Sequence, residues 1–423
     1  EILEHYCSFL PYPVYLGEQR INSKEPLWMK APSECTDSDY KEFFRHLYPM
    51  EPEPLFWVHL NVDYPFNLKG ILYFPKLKRD FEMKKSTVRL FCNRVYVSDD
   101  CKDVIPEYLM VLRGVIDSPD IPLNVSRSYL QMDRTVRQLA THISKKVSDS
   151  LSSLYKSDRE RFLACWEDVS PIIKLGAVQD DKFYDRVKEL LIWKNTEGEW
   201  TNVQDYLERN KEKTKERVLY AADATHHQSI LNVYKEKGIE VLLANSPIDP
   251  YVINSLESKI SPASFKRIDA EIDEHLIDKE REKVILDDEG KTEASKLADL
   301  IKQKIGQESL EVEAKSLVTD GLPAFIVMDE NQRRMRDYMM AVDPTGGAQG
   351  LFQNRKMVIN TNSPLIQAIA KLDEKQPELA QEVASEVYEL ALLSHKEIHP
   401  DQIPAFVNRT QQIIEKLAAM AIK

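Results

Sequence analysis

A single arginine stands where the backbone alone would already attract an anion. The stretch "PLNVSRSYLQM" (residues 122–132) precedes a predicted helix, because apolar residues recur behind it at steps of three and four: Val136, Leu139, Ile143, Val147, Leu151 and Leu154. Ser128 and Gln131 fit the N-cap of that helix and its partner three residues on. Arg127 then lies just outside the cap, where the positive end of the helix dipole disfavours a cation. A fixed cation at this place favours a binding site for an anion with more charge and more acceptor oxygens than one carboxylate, such as a phosphate.

The alternative for Arg127 is a structural ion pair with an acid that is close in sequence, such as Asp117 or Asp120. Arginine pairs with carboxylates in many proteins without taking part in any chemistry. The spacing alone leaves both interpretations open.

Two further motifs lack the spacing that their chemistry needs. "GKT" at residues 290–292 resembles the end of a phosphate loop, but that loop needs a glycine where this chain has Ile285. "HKEIH" sets His395 and His399 one helical turn apart, but Lys396 stands where a zinc hydrolase needs glutamate. We therefore expect a solvated turn there and no metal site in the chain.

Methionines cluster before and after one charged stretch of the sequence. Five of the eleven methionines fall within thirty residues: Met328, Met335, Met339, Met340 and Met357. Met335, Tyr338 and Met339 share one face of a predicted helix beside "NQRRMRDY". Methionine surfaces adapt to varied apolar partners, so this face is a candidate for binding them. Ordinary core packing is the alternative.

The last two predicted helices each carry a continuous apolar stripe. The stripes are Leu379, Val383, Val387, Leu390 and Leu393, followed by Phe406, Thr410, Ile413, Leu417 and Met420. A hairpin with such stripes needs a partner surface, and two copies packed as a four-helix bundle supply one. We therefore predict a homodimer formed through Leu390, Leu393, Phe406, Ile413 and Leu417. Packing of the hairpin onto its own domain is the alternative.

Composition limits the class of protein. The 423 residues are 30% charged and 43% hydrophobic, which is typical of a soluble globular chain of two or three domains. A net charge of −12 argues against nucleic acid and anionic membranes as partners. The five cysteines form no CxxC pair, which favours reduced thiols and a cytoplasmic protein.

The order of the predicted elements is mixed α and β, followed by mainly helix. Residues 55–75 and 87–98 carry strand patterns, and a helical stripe follows: Ile105, Leu109, Leu112 and Ile116. A smaller α/β section is predicted at about 186–256, and the charge-rich residues 269–290 are predicted to form an exposed linker. Beyond the linker the pattern is helical, apart from short β-like runs at 322–328 and 356–361.

Several of these stretches resemble one known family. "RVYVSDDCKDVIPEYLMVLRGVIDSPDIPLNVSRSYLQ" (residues 94–131) closely resembles the middle domain of the ninety-kilodalton heat-shock chaperones. "GILYFP" (70–75), "VLLANSPIDPYVINSL" (241–256) and "NQRRMRDYMM" (331–340) are similar to further stretches of that family in the same order. Cytosolic eukaryotic members of the family carry a long acidic linker where this chain has the short "GEQRINSKEP" (17–26). This difference favours a bacterial, HtpG-type member.

The resemblance implies roles for individual residues. Arg127 would be the arginine that reaches the γ-phosphate of ATP held by a separate N-terminal domain, with Gln131 and Asn124 in the same loop. The face formed by Met335, Tyr338 and Met339 would bind client proteins. Phe74 matches a further apolar client contact of the family.

The resemblance also implies an architecture and a function. We expect a multi-domain α/β (α+β) chain, with a middle domain at 1–281 made of two αβα-type sections at about 1–150 and 186–268, joined by connecting helices. A mainly helical C-terminal dimerisation domain would follow at 282–423. An N-terminal ATP-binding domain would precede Glu1, so this chain alone would be inactive and bind neither ATP nor Mg²⁺. The expected function is an ATP-dependent chaperone for non-native client proteins, and the alternative is a dimeric client-binding scaffold that needs no nucleotide.

Overall fold

The computed structural model describes residues 2–22, 25–77, 87–99, 101–121, 134–222, 228–270, 272–281, 292–307, 309–327, 332, 334–335, 339, 356–394, 398 and 400–422. The chain divides into two compact units, Glu1–Leu191 and Ile192–Lys423. Each unit combines helices with β-sheet, so the chain is of mixed α and β class, as predicted. Within the described residues, no helix has the length and apolar character that crossing a membrane requires.

The first unit is built from a five-stranded sheet, a short hairpin and six helices among its described residues. The strands are β1 Tyr15–Leu16, β2 Gln19–Arg20, β3 Phe56–Val62, β4 Leu68–Phe74, β5 Thr87–Cys92, β6 Val95–Ser98 and β7 Arg113–Asp117. The helices are α1 Ile2–Cys7, α2 Asp37–Leu47, α3 Arg134–Ser157, α4 Arg159–Ala164, α5 Trp166–Gln179 and α6 Asp181–Val187. The strands predicted at 55–75 and 87–98 are therefore present as β3 to β6.

The order of the large sheet is β3-β4-β7-β5-β6. Only β5 and β7 run parallel, and the other neighbours pair antiparallel. The central strand β7 is buried along its whole length. An aromatic cluster that includes Trp28, Phe43 and Phe44 packs against the sheet from the side of α2. The long helix α3 packs near β3 and buries its apolar stripe.

The helix predicted for the stripe from Ile105 to Ile116 is wrong. The structure has a single 3₁₀ turn at Glu107–Leu109, and Ile116 belongs to strand β7. All four residues of the stripe are buried, so the pattern identified the core but not the conformation. Pairing of β7 with β4 on one edge and β5 on the other outweighs the local helical period.

The second unit contains two sheets and seven helices among its described residues. The strands are β8 Ile192–Asn195, β9 Trp200–Asn202, β10 Arg217–Ala221, β11 Leu242–Leu243, β12 Ser264–Arg267, β13 Glu311–Lys315, β14 Ala324–Val327 and β15 Lys356–Asn360. The helices are α7 Val203–Thr214, α8 Gln228–Glu236, α9 Asp249–Lys259, α10 Glu293–Ile305, α11 Pro364–Lys375, α12 Pro377–Ser394 and α13 Ile403–Ile422.

The two sheets of this unit share one buried core. The first sheet has the order β12-β10-β11-β8-β9 and the second β13-β15-β14. Leu219 and Ile268, from the first section, belong to the same cluster as Leu317, Phe325 and Val358 from the second. The smaller α/β section is therefore not separated from the following sheet by a gap in packing. The domain boundary at residue 281 stays a prediction.

The charge-rich stretch that was predicted as an exposed linker is partly buried. Leu276 is buried in the shared core, and Asp269 is fully buried. Arg217 forms an ion pair with Asp273 at 3.0 Å. Ala270 is also buried and Ile272 packs against the shared core, whereas residues 279–281 are exposed. Residues 282–290 of the predicted linker lie outside the described residues.

Candidate functional site

The loop implicated in phosphate binding is described only at its two ends. Arg127, Gln131 and Asn124 lie outside the described residues, as does the N-cap predicted at Ser128. Strand β7 leads into the loop, and α3 is described from Arg134 onward. What the structure adds is how each end is held.

The entry to the loop is fixed by hydrogen bonds from the turn between β3 and β4. The Ser118 hydroxyl donates to the carbonyl oxygen of Asn67 at 2.6 Å, and the Asn67 amide donates to the Asp120 carboxylate at 2.6 Å. The Ser118 amide donates to the carbonyl oxygen of Phe91 on β5 at 3.1 Å. Ser118 and Ile121 are buried, so the chain is anchored to the sheet until just before residue 122.

The exit from the loop is held by the packing of α3. Val136 and Leu139, in the first described turns of α3, are fully buried. The stripe continues through Ile143, Val147 and Leu151, which are also fully buried. The predicted helix is therefore confirmed over Arg134–Ser157, and its burial fixes where the loop must end.

The two acids proposed as structural partners of Arg127 have other partners. The buried Asp117 carboxylate accepts hydrogen bonds from the indole of Trp28 at 3.1 Å and from the amide of Arg94 at 3.1 and 3.3 Å. Burial raises the pKa of Asp117, and the bonds from Trp28 and Arg94 only partly offset it. Asp120 is bonded by Asn67. Neither carboxylate depends on Arg127 for a hydrogen-bond partner.

The methionine-rich segment is described at four helical positions: Gln332, Arg334, Met335 and Met339. Met335 is 54% exposed, whereas Met339 is half-buried. Tyr338 lies outside the described residues. An exposed thioether on a helical segment is what an adaptable apolar contact needs.

Arg334 fixes this segment to the neighbouring sheet. Its guanidinium makes two hydrogen bonds with the Glu257 carboxylate on α9, Nη1 to Oε2 at 2.6 Å and Nη2 to Oε1 at 2.9 Å. Burial alone would raise the pKa of Glu257, but the hydrogen bonds and charge of Arg334 outweigh it and hold that pKa below its usual range. The carboxylate is therefore ionised at neutral pH, and the ion pair is complete.

The C-terminal hairpin divides its apolar residues between its own core and the surface. Val387 on α12 is buried in a core that also contains Ile366 and Ile369 of α11. Leu379 of α12 is buried as well. Phe406 of α13 packs partly against the same core. Thr410 and Ile413 are also half-buried, so much of the predicted second stripe faces this unit.

A different row of α13 is exposed. We call Ile403, Val407, Ile414 and Leu417 the α13 row, because steps of four, seven and three place them on one side of the helix. Val407 is 52% and Ile414 59% exposed, and no residue of α13 is buried. A shallow groove of about 340 Å³ runs beside Phe406, Val407 and Ile414. Leu390 and Leu393 of α12 are also exposed.

Ion pairs join the two helices of the hairpin. Arg409 bonds to Glu386 at 3.2 Å and also contacts Glu389. Lys416 bonds to Glu382 at 2.6 Å. Glu386 is buried and also accepts a hydrogen bond from the hydroxyl of Thr410. These bonds set the angle of α13 on α12, so that the α13 row keeps its exposed position.

Phe74 does not have the exposure that a client contact needs. The side chain is 1% exposed, and its ring stacks on Phe56 of β3 with a centroid distance of 4.2 Å. Six of the seven residues of β4 are buried, so both faces of this strand are covered and Phe74 lies in the core. We therefore assign it a packing role and correct the expectation drawn from the family.

The remaining polar motifs do not form a site in the described chain. Among the residues that the structure describes, no group of three or more His, Cys, Asp or Glu is arranged to hold a metal ion. His395 and His399 lie outside that part of the chain. None of the five cysteines, all of which are described, forms a disulfide.

Comparison with known proteins places the whole arrangement in one family. The family model described as "Hsp90 protein" matches residues 12–422. The chain belongs to the Hsp90 family. The match includes the Arg127 loop, the segment around Met335 and all of α13, so these features lie within the family's own sequence.

Three bacterial chaperones are similar to this Hsp90-family chain. It is 37% identical over 399 residues to the chaperone protein HtpG of Bacteroides fragilis strain YCH46, an alignment that covers 89% of this chain and 58% of that protein. The chaperone protein HtpG of Porphyromonas gingivalis strain ATCC 33277 is 36% identical, with coverage of 97% and 64%. That of Desulfitobacterium hafniense is 28% identical, with coverage of 98% and 68%. The resemblance to HtpG-type chaperones is confirmed, and the chain spans about 58% of the first of these relatives.

Two features of this Hsp90-family chain were missed from the sequence. The α13 row has helical spacing, but the stripe through Phe406 has it too, and spacing alone does not distinguish the exposed row from the half-buried one. The bond between Glu257 and Arg334 joins residues that are 77 positions apart, and the sequence around each residue does not predict it. Such a pair becomes visible only when α9 and the methionine segment are placed together.

Proposed function

We propose that this chain supplies the client-binding and dimerising parts of an ATP-dependent chaperone that acts on non-native proteins in the cytoplasm. Membership of the Hsp90 family supports the class of activity, and the relatives named above are chaperones. The observation that carries the client-binding part is the exposed side chain of Met335 on a helical segment.

The client surface would be formed by Met335, Tyr338 and Met339. Unbranched thioethers change shape at low cost, so one surface accepts apolar segments of different sequence. A small patch of this kind offers few fixed anchors, and we expect its affinity for each client to be weak. Weak binding suits a protein that must release what it holds.

Dimerisation would proceed through the hairpin. The α13 row, Leu390 and Leu393 are apolar and exposed on helices that the rest of the unit holds in place. Such residues on a fixed surface indicate an interface. Two copies related by a two-fold axis would each cover the other's row. Phe406 and Ile413 would support the row from beneath, and Leu417 would lie within it.

The ATP-dependent part of the proposal concerns the Arg127 loop. Arg127, with Gln131 and Asn124, would contact the γ-phosphate of ATP, which an N-terminal domain of the longer protein would hold together with Mg²⁺. A guanidinium placed against a phosphoryl group stabilises the charge that develops there. The anchoring of both ends of the loop by Ser118 and by the stripe of α3 supports this role, since a positioned arginine needs a fixed base.

Client binding is tested by charging the methionine face. We expect Met335→Glu with Met339→Glu to weaken binding of reduced, carboxymethylated α-lactalbumin, a permanently unfolded test client, about tenfold or more, since a buried charge costs over 1.4 kcal/mol. Fluorescence anisotropy of the labelled client measures the affinity. The control is Met50→Glu, because Met50 is an exposed methionine in the first unit. Unchanged binding in a folded double variant contradicts the proposal.

The alternative is a dimeric client-binding scaffold that needs no nucleotide. Arg127→Ala in the longer protein separates the two. We expect a loss of ATP turnover of about 10³-fold with ATP binding less affected, because the guanidinium acts mainly in the reacting state. Arg137→Ala, an exposed arginine on α3, is the control. Full turnover in the Arg127 variant would favour the scaffold.

A further inference from the structure

The pair formed by Glu257 and Arg334 is built more firmly than a surface ion pair. Both oxygens of the carboxylate are engaged by both terminal nitrogens of the guanidinium, at 2.6 and 2.9 Å. The side chain of Arg334 is only 11% exposed. A two-point contact fixes the orientation of the guanidinium as well as its distance, and partial burial reduces screening by salt.

The same pair also forms hydrogen bonds with the edge of the five-stranded sheet of the second unit. Among the strands that the structure describes, β12 lies at the edge of its sheet, so no other described strand pairs with its outward backbone groups. The amide of Phe265 donates to Glu257 Oε1 at 2.9 Å, and Arg334 Nη2 donates to the carbonyl oxygen of Phe265 at 3.3 Å. The carboxylate and guanidinium thus occupy the places of the acceptor and donor that a further strand would supply. The methionine segment is thereby tied to the backbone of β12.

The orientation of the apolar face follows from this attachment. Successive residues of a helix point about 100° apart, so a guanidinium held against β12 turns the next residue, Met335, away from the sheet. Met335 is exposed as this geometry requires. Met339 follows four residues later on the same face and is half-buried. The attachment of Arg334 to β12 therefore determines which side of the helical segment is exposed.

We infer that Glu257 is a positioning residue for the client-binding surface: through Arg334 it holds Met335 and Met339 in the orientation that presents them to clients. The inference rests on the proposed function of that surface. It makes affinity for clients depend on a residue of α9 that itself touches no client. The smaller α/β section would then act on client binding through one ion pair.

A purely structural role for the pair gives a different expectation. If Glu257 and Arg334 only protect the edge of β12, their loss lowers stability and leaves client affinity unchanged. Arg334→Lys keeps the positive charge but loses the two-point contact. Glu257→Gln keeps an oxygen for the amide of Phe265 but loses the charge. The two variants therefore weaken the attachment of the segment while most of the edge contacts are retained.

The chain also contains a matched control. Arg209 of α7 also makes a two-point contact with a carboxylate of the same unit, that of Glu240, through Nε and Nη2 with both bonds at 2.9 Å. Arg209→Lys therefore makes the same chemical change in a pair that does not hold the methionine segment. Client affinity is measured in the 423-residue chain with labelled, carboxymethylated α-lactalbumin, and thermal unfolding is measured for each variant.

We expect Arg334→Lys and Glu257→Gln each to weaken client binding about fivefold, while Arg209→Lys leaves it unchanged. A variant that combines Arg334→Lys with Glu257→Gln should bind the client no more weakly than either single variant does, because the two residues act as one unit. If affinity is unchanged in Arg334→Lys and in Glu257→Gln, while Met335→Glu with Met339→Glu still weakens client binding, the inference is overturned and the proposed function stands. Unchanged affinity in the variant with Met335→Glu and Met339→Glu overturns both. If Arg334→Lys unfolds the unit, the folded Glu257→Gln variant decides.

Discussion

Helices α3 and α13 are both long and amphipathic, yet their apolar rows lie in opposite environments. Five apolar residues of α3, from Val136 to Leu151, are fully buried within the first unit. Helix α13 has no buried residue, and its row from Ile403 to Leu417 is exposed. The first unit buries the apolar row of α3 with its own residues, whereas the second unit leaves the α13 row exposed.

The difference separates two uses of the same sequence pattern. An apolar row indicates that a helix packs against another apolar surface, but it does not indicate whether that surface belongs to the same chain. In α3 the partner is the unit's own sheet and the helices beside it. In α13 the inner face is already engaged by α12 through Arg409 and Lys416, so the exposed row is a second surface. The buried row should therefore control stability, and the exposed row should control assembly.

The largest effect is expected from a charge placed in the buried row. Val147→Asp should destabilise the first unit by about 4 kcal/mol or more, because the carboxylate would lie in a fully buried position without a partner. Urea unfolding, followed by hydrogen exchange at the amides of β4 and β7, measures the loss. Gln138→Asp, at an exposed position of the same helix, should change stability by less than about 0.5 kcal/mol. Equal stability of the two variants would remove the basis of the comparison.

The sequence predicted most of the first unit because its local signals agree with its packing. The alternating residues of β3 and the stripe of α3 each specify one conformation and one buried face. The prediction failed at Ile105 to Ile116, where every residue of β7 is buried and no alternation exists to distinguish a strand from a helix. Contacts with β4 and β5, which come from distant parts of the chain, decided the outcome there.

The candidate sites were predictable to different degrees for the same reason. Met335 and the hairpin were found because composition and spacing are local signals. Phe74 was misassigned, since its motif resembles a contact site but its ring stacks on Phe56 inside the sheet. Glu257 was missed because its importance depends on a partner 77 positions away. Local patterns identify elements, whereas the pairs between elements need the fold.

The exposed row should respond to charge by losing assembly rather than stability. Val407→Asp with Ile414→Asp places two carboxylates where the side chains are more than half exposed in the single chain. In the monomer these groups remain hydrated, so we expect the free energy of unfolding to change by less than about 1 kcal/mol. A symmetric interface contains each substitution twice, and four desolvated charges should raise the dissociation constant of the dimer at least about 100-fold. Sedimentation velocity measures the constant.

The control for this variant lies on the opposite side of the same helix. Gln412 is exposed and about 180° from the centre of the α13 row, so Gln412→Asp adds a charge to α13 without entering the proposed interface. We expect it to sediment as the parent does. If the double variant also stays dimeric, the α13 row is not the interface, and the copies must meet through another surface such as that of Leu390 and Leu393. If the double variant instead unfolds, α13 is held in place by its exposed residues. Its row would then be as structural as that of α3, and the contrast between the two helices would fail.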